Sequence, residues 1–195
     1  MRPVIAITGG IGCGKSVVSR VLRIRGFEVV DSDSHARSIM DTSKTIKERL
    51  RLEIHPASVD ADGIIDRKLL ADIVFADEEM LRRLNSIVHG EVLESLREIA
   101  QSADSSVLFV ESAILYSSGL DRIAAAEWNV ECPDDIRIRR VMARNGLTRS
   151  QVVDRIESQK TERPQGRLPL VRIVNDGLTP LLPQIDEALA RGGFA

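Results

Sequence analysis

The fold of this chain is decided by the stretch Val4-Ile5-Ala6-Ile7-Thr8-Gly9-Gly10-Ile11-Gly12-Cys13-Gly14-Lys15-Ser16. Its first four residues are a β-rich apolar run, which predicts a short strand. Glycines follow at once, and after Ser16 the apolar residues recur at helical spacing as far as Gly26, a natural helix stop. The stretch therefore predicts a strand, a glycine loop and a helix in immediate succession.

The glycine loop matches the phosphate-binding pattern Gly9-x-x-x-x-Gly14-Lys15-Ser16 in full. Glycines let the backbone curl around a phosphate, and the first turn of the helix adds unpaired N–H donors and the positive end of a dipole. Lys15 can then reach the β- and γ-phosphates, and the Ser16 hydroxyl can bind Mg²⁺. The loop predicts a site for a triphosphate; the alternative is a glycine-rich turn that binds nothing.

The rest of the chain alternates between strand-like and helical patterns. Largely apolar runs, typical of buried parallel strands, recur at Phe27–Val30, Val107–Val110, Trp128–Val130 and Leu170–Val174. Helical periodicity covers Arg67–Ala76, Glu78–Ser102, Asp134–Arg144, Ser150–Lys160 and a last helix that Thr179 and Pro180 would open as N-cap and first residue. The alternation predicts the α/β class: a P-loop NTPase-type, doubly wound parallel sheet of about five strands.

The same patterns predict one domain with two helical additions. The core is expected at about residues 1–33, 104–133 and 168–195. A helical substrate-binding insertion is expected at about 34–103, and a helical lid at about 134–167. Neither an internal repeat nor a Pro/Gly/Ser linker argues for a further domain.

The composition restricts the partners of the protein. The chain has 195 residues, with 27 basic against 29 acidic side chains and a formal net charge of -2. That balance argues against nucleic acid or an anionic membrane as the main partner, and no obligate protein partner is inferred. No signal-peptide pattern or apolar run of ~20 residues is present, and the two cysteines lack metal-ligand spacing, so we expect a cytoplasmic protein with reduced thiols.

Three carboxylates follow predicted strands, where the carboxyl ends of a parallel sheet gather catalytic groups. Asp33 is the better candidate for the general base, because a carboxylate near an acceptor hydroxyl can orient it and take its proton. It is also a candidate magnesium ligand. Asp31 is as well explained as a cap of the next turn or helix. Glu111 is a candidate metal or water ligand, with helix capping as the alternative.

Arginines crowd the predicted lid. Arg140 and Arg144 lie four residues apart, so on a helix they share a face, and guanidinium groups suit phosphate oxygens. We expect these two to close over the transferring phosphoryl group and exclude water. A solvated helix face is the alternative explanation for the other arginines, such as Arg149, Arg155 and Arg163.

Four motifs together resemble a known family. They are Thr8-Gly9-Gly10-Ile11-Gly12-x-Gly14-Lys15-Ser16, Val30-Asp31-x-Asp33-x-x-Ala36-Arg37, Leu84-Asn85-x-x-Val88-His89 and Arg155-Ile156-x-x-Gln159. In this order and at similar separations they resemble the dephospho-CoA kinases, over nearly the whole chain. The resemblance implies a P-loop kinase core with a helical CoA-binding insertion and a mobile lid. It implies transfer of the ATP γ-phosphoryl group to the ribose 3′-hydroxyl of dephospho-CoA, the last step of coenzyme A synthesis.

The resemblance also implies roles for single residues. Asp33 acts on the acceptor hydroxyl, and dephospho-CoA is bound on the side of Arg37 and His89, with Glu111 as a further substrate-binding candidate. Lys15 and Arg140 are expected to be catalytic. ATP and Mg²⁺ are the expected co-substrate and metal, and the nucleotide-binding candidates are Gly10, Gly12, Cys13, Gly14, Lys15, Ser16, Val17, Arg144 and, near the adenine, Asn175.

The chain departs from the family pattern at three places. Gly90 stands after the histidine, where the family usually has proline. Ala113-Ile114-Leu115-Tyr116-Ser117 replaces a Pro-Leu-Leu-aromatic-Glu run and so lacks its carboxylate. An aspartate common a few residues before the asparagine is missing around Pro169–Val171.

Two other functions remain open at this point. Another small-molecule P-loop kinase, of the nucleoside, nucleotide or shikimate type, would differ only in its acceptor pocket. A non-enzymatic nucleotide switch is the second alternative, because Asp60-x-x-Gly63 matches one switch motif. That match precedes a helical segment rather than following a core strand, and the chain has no Asn-Lys-x-Asp guanine motif.

Overall fold

The computed structural model, which describes residues 1–102 and 106–194, is built around one parallel sheet. Its five strands lie side by side in the order β2-β3-β1-β4-β5. They are β1 (Val4–Thr8), β2 (Glu28–Asp31), β3 (Leu108–Glu111), β4 (Ala126–Glu131) and β5 (Leu170–Val174). The predicted α/β class and the predicted parallel sheet of about five strands are confirmed.

Helices connect these strands and follow the last one. In the described residues they are α1 (Lys15–Ile24), α2 (Ser32–Thr42), α3 (Lys44–Glu53), α4 (Arg67–Ala76), α5 (Glu78–Ser102), α6 (Asp134–Asn145), α7 (Arg149–Ser158) and α8 (Leu181–Arg191). The predicted bounds of α4 and α5 agree with the observed ones, and those of α6 and α7 differ by one or two residues. The sequence patterns did not separate α2 and α3.

One predicted helix start is wrong. Thr179 and Pro180 were expected to be the N-cap and the first residue of α8, but the helix begins at Leu181 and Pro180 takes the N-cap position. Asp176 explains the difference, because its carboxylate accepts hydrogen bonds from the N–H groups of Leu178 and Thr179 and from the Thr179 hydroxyl. Thr179 is therefore held in the preceding turn.

The register brings the ends of three neighbouring strands to one edge of the sheet. Ile7, near the end of β1, pairs with Glu111 at the end of β3, and Asp31 at the end of β2 pairs with the same glutamate. On the other side of β1, Thr8 pairs with Asn129 of β4. The loop that follows Thr8 therefore begins in the middle of the carboxyl edge, where ligands of open α/β sheets bind.

The core on one face of the sheet is aromatic at its centre. Phe109 of β3 meets Trp128 of β4 edge to face, with ring centroids 5.1 Å apart, and Phe27 meets the same phenylalanine at 5.5 Å. Val18 and Leu22 pack into this cluster from α1 and are fully buried. This packing fixes α1 against the sheet and so fixes the start of the helix that follows the loop.

The chain divides into two compact units, which are Met1–Asp31 with Ile99–Ala195, and Ser32–Glu98. The second unit has its own core, in which Ile46, Leu50 and Ile87 are fully buried. The predicted division into core, insertion and lid stays a prediction, and its boundary at residues 103 and 104 lies outside the described residues. None of the described helices combines the length and the apolar character needed to cross a bilayer.

Candidate active site

The loop between β1 and α1 has the backbone of a phosphate cradle. Gly9, Gly12 and Gly14 all have positive φ, and the Cys13 N–H donates back to the Gly10 carbonyl at 3.2 Å. Gly14 is the N-cap residue of α1 and provides no side-chain cap. In the first turn the Val17 N–H donates to the Gly14 carbonyl at 3.0 Å. A helix start without a side-chain cap presents its remaining backbone donors and the positive end of the helix dipole to an anion.

Two glycines of the loop leave room for side chains from elsewhere in the fold. A Cβ at Gly14, where φ is 94°, would lie 2.1 Å from Nδ2 of Asn175. A Cβ at Gly10 would lie 2.1 Å from a terminal nitrogen of Arg137. Any larger residue at either position would push these two side chains off the loop.

Lys15, the first residue of α1, turns its side chain back across the loop. Its ammonium donates to the Gly9 carbonyl at 2.8 Å, so the charge lies between the two ends of the glycine run. Ser16 and Val17 follow in the first turn, and both are exposed. The loop thus combines backbone donors, one ammonium and one hydroxyl at the same helix start.

Cys13 faces the opposite way. Its side chain is 1% exposed and packs in the aromatic core, so of this residue only the backbone belongs to the surface of the loop. Its carbonyl accepts a hydrogen bond from Nδ2 of Asn175 at 2.8 Å. Both cysteines of the chain are free, as expected.

Asn175 and Arg140 belong to one hydrogen-bonded group behind the loop. The Asn175 backbone N–H donates to the Glu131 carbonyl at 2.8 Å, which ties the end of β5 to the end of β4. Arg140 of α6 donates to the Asn175 carbonyl at 3.0 Å and to the Cys132 sulfur at 3.4 Å. The structure therefore brings together Asn175, Arg140 and the loop.

Arg144 is not brought to the same group. It is exposed near the end of α6, and its Nε donates to the side chain of the adjacent Asn145 at 2.9 Å. The lid role expected for Arg140 and Arg144 stays a prediction.

The arginine that does touch the loop is Arg137, one turn before Arg140 on α6. Its Nε donates to the Ile11 carbonyl at 2.9 Å, and its Nη1 pairs with Asp134 at 2.7 Å. From the end of α7, the side-chain oxygen of Gln159 accepts a hydrogen bond from the Ile11 N–H at 2.7 Å. The sequence contained both residues, one inside an arginine run and one inside a family motif, but neither pattern says which backbone group they bind.

A cavity of about 320 Å³ lies beside the loop, against Gly9 and Gly10. Arg172 and Glu131 form an ion pair at 2.6 Å among the lining residues. Guanidinium groups outnumber carboxylates in the lining, which favours a negatively charged ligand. The charged lining residues are Glu131, Arg137, Glu162, Arg163 and Arg172.

A second polar group, not expected from the sequence, joins the segment after α7 to the loop after β3. The Glu162 carboxylate accepts hydrogen bonds from the N–H groups of Tyr116 and Ser117, at 2.9 and 3.2 Å. The Tyr116 hydroxyl donates to Glu127 at 2.5 Å and accepts from the Gln165 N–H at 3.0 Å. Ser117 stands where the family usually has glutamate, and here its backbone contributes the contact.

Burial governs the titration of this group. The Glu127 carboxyl is 1% exposed, and burial raises its pKa. Burial, together with the hydrogen bond to Glu127, raises the pKa of Tyr116 to about 12. The phenol therefore stays protonated at neutral pH and keeps its donor.

The expected acidic residues lie in two different units. Glu111 is half-buried at the end of β3, in the same unit as the loop. Asp33 is exposed in the first turn of α2, in the other unit. In that unit Arg37 is also exposed, with its guanidinium 3.1 Å from the Ser34 hydroxyl, while His89 is half-buried on α5.

No group of three or more His, Cys, Asp or Glu side chains that could hold a metal ion occurs in residues 1–102 and 106–194. A magnesium ion at a kinase site is held by one or two protein oxygens and by substrate phosphates rather than by a complete protein cage. The exposed Ser16 hydroxyl at the helix start has the oxygen chemistry that such an ion prefers.

The fold and the loop together define the class of protein. A dephospho-CoA kinase from Campylobacter jejuni has a matching structure, with a TM-score of 0.66 over 99% of this chain and 96% of that one; at 22% identity the likeness shows the fold. This chain carries a parallel sheet whose first strand enters a lysine-bearing phosphate loop. It therefore has the fold and the phosphate loop of the P-loop class.

Sequence similarity identifies the family within that class. The dephospho-CoA kinase family matches residues 3–180. A dephospho-CoA kinase of Porphyromonas gingivalis is 38% identical over 159 residues, which are 82% of this chain and 78% of that protein. A crystal structure from Thermus thermophilus is 33% identical, has a TM-score of 0.75 and covers 98% of this chain and 97% of its own. This chain belongs to the dephospho-CoA kinase family.

Family membership settles the choice among the functions left open by the sequence. The resemblance drawn from the four motifs is confirmed, and so is the prediction that the chain is a kinase. Neither another small-molecule kinase nor a nucleotide switch is favoured. The roles of single residues stay predictions.

Proposed function

We propose that this protein transfers the γ-phosphoryl group of ATP to the ribose 3′-hydroxyl of dephospho-CoA, giving coenzyme A and ADP. The observation that supports ATP as the phosphoryl donor is the start of α1, which has no side-chain cap and where the Lys15 ammonium lies 2.8 Å from the Gly9 carbonyl. Backbone N–H groups and a dipole at a helix start favour phosphate. Membership of the dephospho-CoA kinase family supports dephospho-CoA as the acceptor.

On the donor side, the loop binds the phosphates with backbone N–H groups. Lys15 supplies a positive charge where negative charge grows on the oxygen that leaves the γ-phosphoryl group, and so stabilises the transition state. Arg137, whose guanidinium already lies against Gly10, adds a second positive charge beside the loop. The residues proposed to hold ATP are Gly10, Gly12, Cys13, Gly14, Lys15, Ser16, Val17, Arg144 and Asn175, the last near the adenine.

Mg²⁺ is the metal that fits the proposed chemistry. The Ser16 hydroxyl and the Asp33 carboxylate would hold it, because both are exposed oxygen donors and Mg²⁺ prefers oxygen. When bound, the ion neutralises charge on the phosphate oxygens.

On the acceptor side, Asp33 orients the 3′-hydroxyl and takes its proton as the new P–O bond forms. Its exposure in the first turn of α2 leaves the carboxylate open to an incoming alcohol. Arg37, His89 and Glu111 are proposed to bind dephospho-CoA, the two basic residues through its negative charges. Arg140 and Arg144 are proposed to exclude water from the transferring group.

The setting of the reaction is proposed to be the cytoplasm, with a small molecule as the substrate. The net charge of -2 argues against nucleic acid or an anionic membrane as the main partner.

An acceptor panel tests the proposed function. The pure protein is incubated with Mg-ATP and, separately, with dephospho-CoA, adenosine, a nucleoside monophosphate and shikimate, and ADP release is followed. Of the four acceptors, we expect only dephospho-CoA to cause ADP release. Lys15→Ala should abolish this release. The matched variant Lys44→Ala, which changes an exposed lysine on α3, should retain it. Faster ADP release with another acceptor would contradict the proposal.

A further inference from the structure

The backbone of one residue of the phosphate loop, Ile11, is held by side chains that come from far along the chain. The Ile11 N–H donates to the Gln159 side-chain oxygen at 2.7 Å, across 148 residues. The Ile11 carbonyl accepts from Nε of Arg137 at 2.9 Å, across 126 residues. Both polar groups of the same residue are thus occupied, one from the end of α7 and one from the first turns of α6.

The direction of both hydrogen bonds is fixed by chemistry. A backbone N–H can only donate, so the carboxamide oxygen of Gln159, and not its nitrogen, must face Ile11. A guanidinium can only donate, so Arg137 must meet an acceptor, which here is the Ile11 carbonyl. The two side chains are therefore not interchangeable, and each matches the group it meets.

The hydrophobic side chain of Ile11 points to the same partners. Ile138 and Val141 of α6 form a buried cluster with Val152 and Ile156 of α7, and Ile11 packs against it. Ile11 therefore contacts this region through three groups. Its side chain packs on α6 and α7, its carbonyl is bound by Arg137 of α6, and its N–H is bound by Gln159, which follows α7. The loop is thereby attached to that helix pair at its third residue.

The loop needs such a constraint because of its composition. Glycine loses more conformational freedom on folding than any other residue, and a loop that is free before binding must be ordered when the ligand arrives. Within the loop, the Cys13 N–H to Gly10 carbonyl bond closes a turn whose two central residues are Ile11 and Gly12. A constraint on the Ile11 backbone from outside therefore acts on the centre of the phosphate cradle.

We propose that Gln159 and Arg137 are positioning residues that hold the two peptide units on either side of Ile11 and so preset the phosphate loop for a polyphosphate. The inference rests on the proposed function for the identity of the ligand class. It adds that phosphate affinity depends on a glutamine that need not touch the nucleotide.

The test compares Gln159→Leu with Gln165→Leu, which makes the same change at an exposed glutamine six residues further on. The Nε2 of Gln165 donates to the Thr161 carbonyl. Dissociation constants are measured for ATP, ADP and adenosine in the absence of any acceptor. Exchange of the Ile11 amide hydrogen is measured by NMR without nucleotide. We expect Gln159→Leu to raise the dissociation constants of ATP and ADP about threefold to tenfold, which corresponds to the loss of one hydrogen bond. The dissociation constant of adenosine should not change.

The same variant should speed exchange at Ile11 by a similar factor. Gln159→Glu retains an acceptor oxygen and should restore the slow exchange, whatever its charge does to nucleotide affinity. If Gln159→Leu does not fold, Gln159→Asn, whose carboxamide is one carbon too short, makes the same comparison. Gln165→Leu should match the parent protein in every measurement.

Two results would overturn the inference. One is an equal loss of affinity for ATP and adenosine, which would indicate general damage to the site. The other is unchanged exchange at Ile11 in Gln159→Leu. Because no acceptor is present, failure of dephospho-CoA as a substrate would leave these measurements untouched, so the two proposals fail separately.

Discussion

Asp33 lies in the first turn of α2, and its carboxylate is exposed, as a group that meets an incoming alcohol must be. In Asp33→Asn the side chain keeps its shape but can no longer take the proton of the acceptor. We expect kcat for ADP release with dephospho-CoA to fall by ~10²–10⁴, the usual contribution of a positioned general base.

The matched variant is Asp62→Asn, which neutralises an exposed carboxylate in the turn between Asp60 and Ile64. Asp62→Asn should release ADP with dephospho-CoA at the same kcat as the parent protein. Near-normal turnover by Asp33→Asn would remove this residue as the base.

At the residue scale, the sequence was most informative where the partners are close along the chain. The spacing from Gly9 to Ser16 predicted the cradle, because the chemistry of that loop is carried by consecutive residues. It did not indicate that Cys13 turns its side chain into the core, or that Arg137 would be the arginine at the loop. Those outcomes depend on residues more than a hundred positions away.

At the element scale, one phenol of the loop after β3 is hydrogen-bonded both to β4 and to the segment after α7. The chain has a single tyrosine, so the ultraviolet absorbance of tyrosinate reports on Tyr116 alone. We expect its titration midpoint at about 12 rather than at 10.0. Because the pKa is raised on folding, the stability that this phenol contributes is complete below pH 10.0 and is lost as the pH rises through about 12.

Glu127→Gln tests the cause of that shift. Removing the buried negative charge beside the phenol should move the midpoint of Tyr116 downward, while Glu131→Gln, on the same strand but bonded to Arg172, should leave it in place. Fluorescence of Trp128 shows whether the fold persists at each pH. A midpoint at the ordinary value in the folded parent protein would contradict the assignment.

Elements were predicted well where one pattern sufficed. Buried parallel strands are continuous apolar runs, so β3 could be located from its own residues. The apolar residues of Leu170–Val174 located β5 as well, although Arg172 interrupts them and only Ile173 is buried. The start of α8 could not, because Asp176 competes for the N–H and hydroxyl of Thr179. The separate helices α2 and α3 were likewise not resolved by the charged pattern after Ser34.

At the scale of the whole molecule, binding at the loop must stabilise the fold. A ligand that binds the native state alone adds about 2.7 kcal/mol to the free energy of unfolding at a hundred times its Kd. We expect ATP to give this increase in urea unfolding followed by fluorescence of Trp128, the only tryptophan. Gly14→Ala should abolish the increase, because its Cβ would lie 2.1 Å from the Asn175 side chain at a φ of 94°.

Gly90→Ala is the matched control, since a Cβ there meets nothing within 4 Å and its φ is not positive. It should retain the full response to ATP. An equal response in Gly14→Ala would show that ATP binds somewhere other than the loop.

The sequence by itself determined the class of fold, the phosphate loop and the family, because each depends on patterns among neighbouring residues or on motifs that keep their order along the chain. Only the tertiary structure decided which distant side chains reach that loop. Gln159 and Arg137 bind the backbone of one residue, Ile11, and Tyr116 binds a buried carboxylate on β4. Hydrogen bonds act over about 3 Å, whereas sequence patterns report local periodicity, so such pairings appear only once the chain has folded.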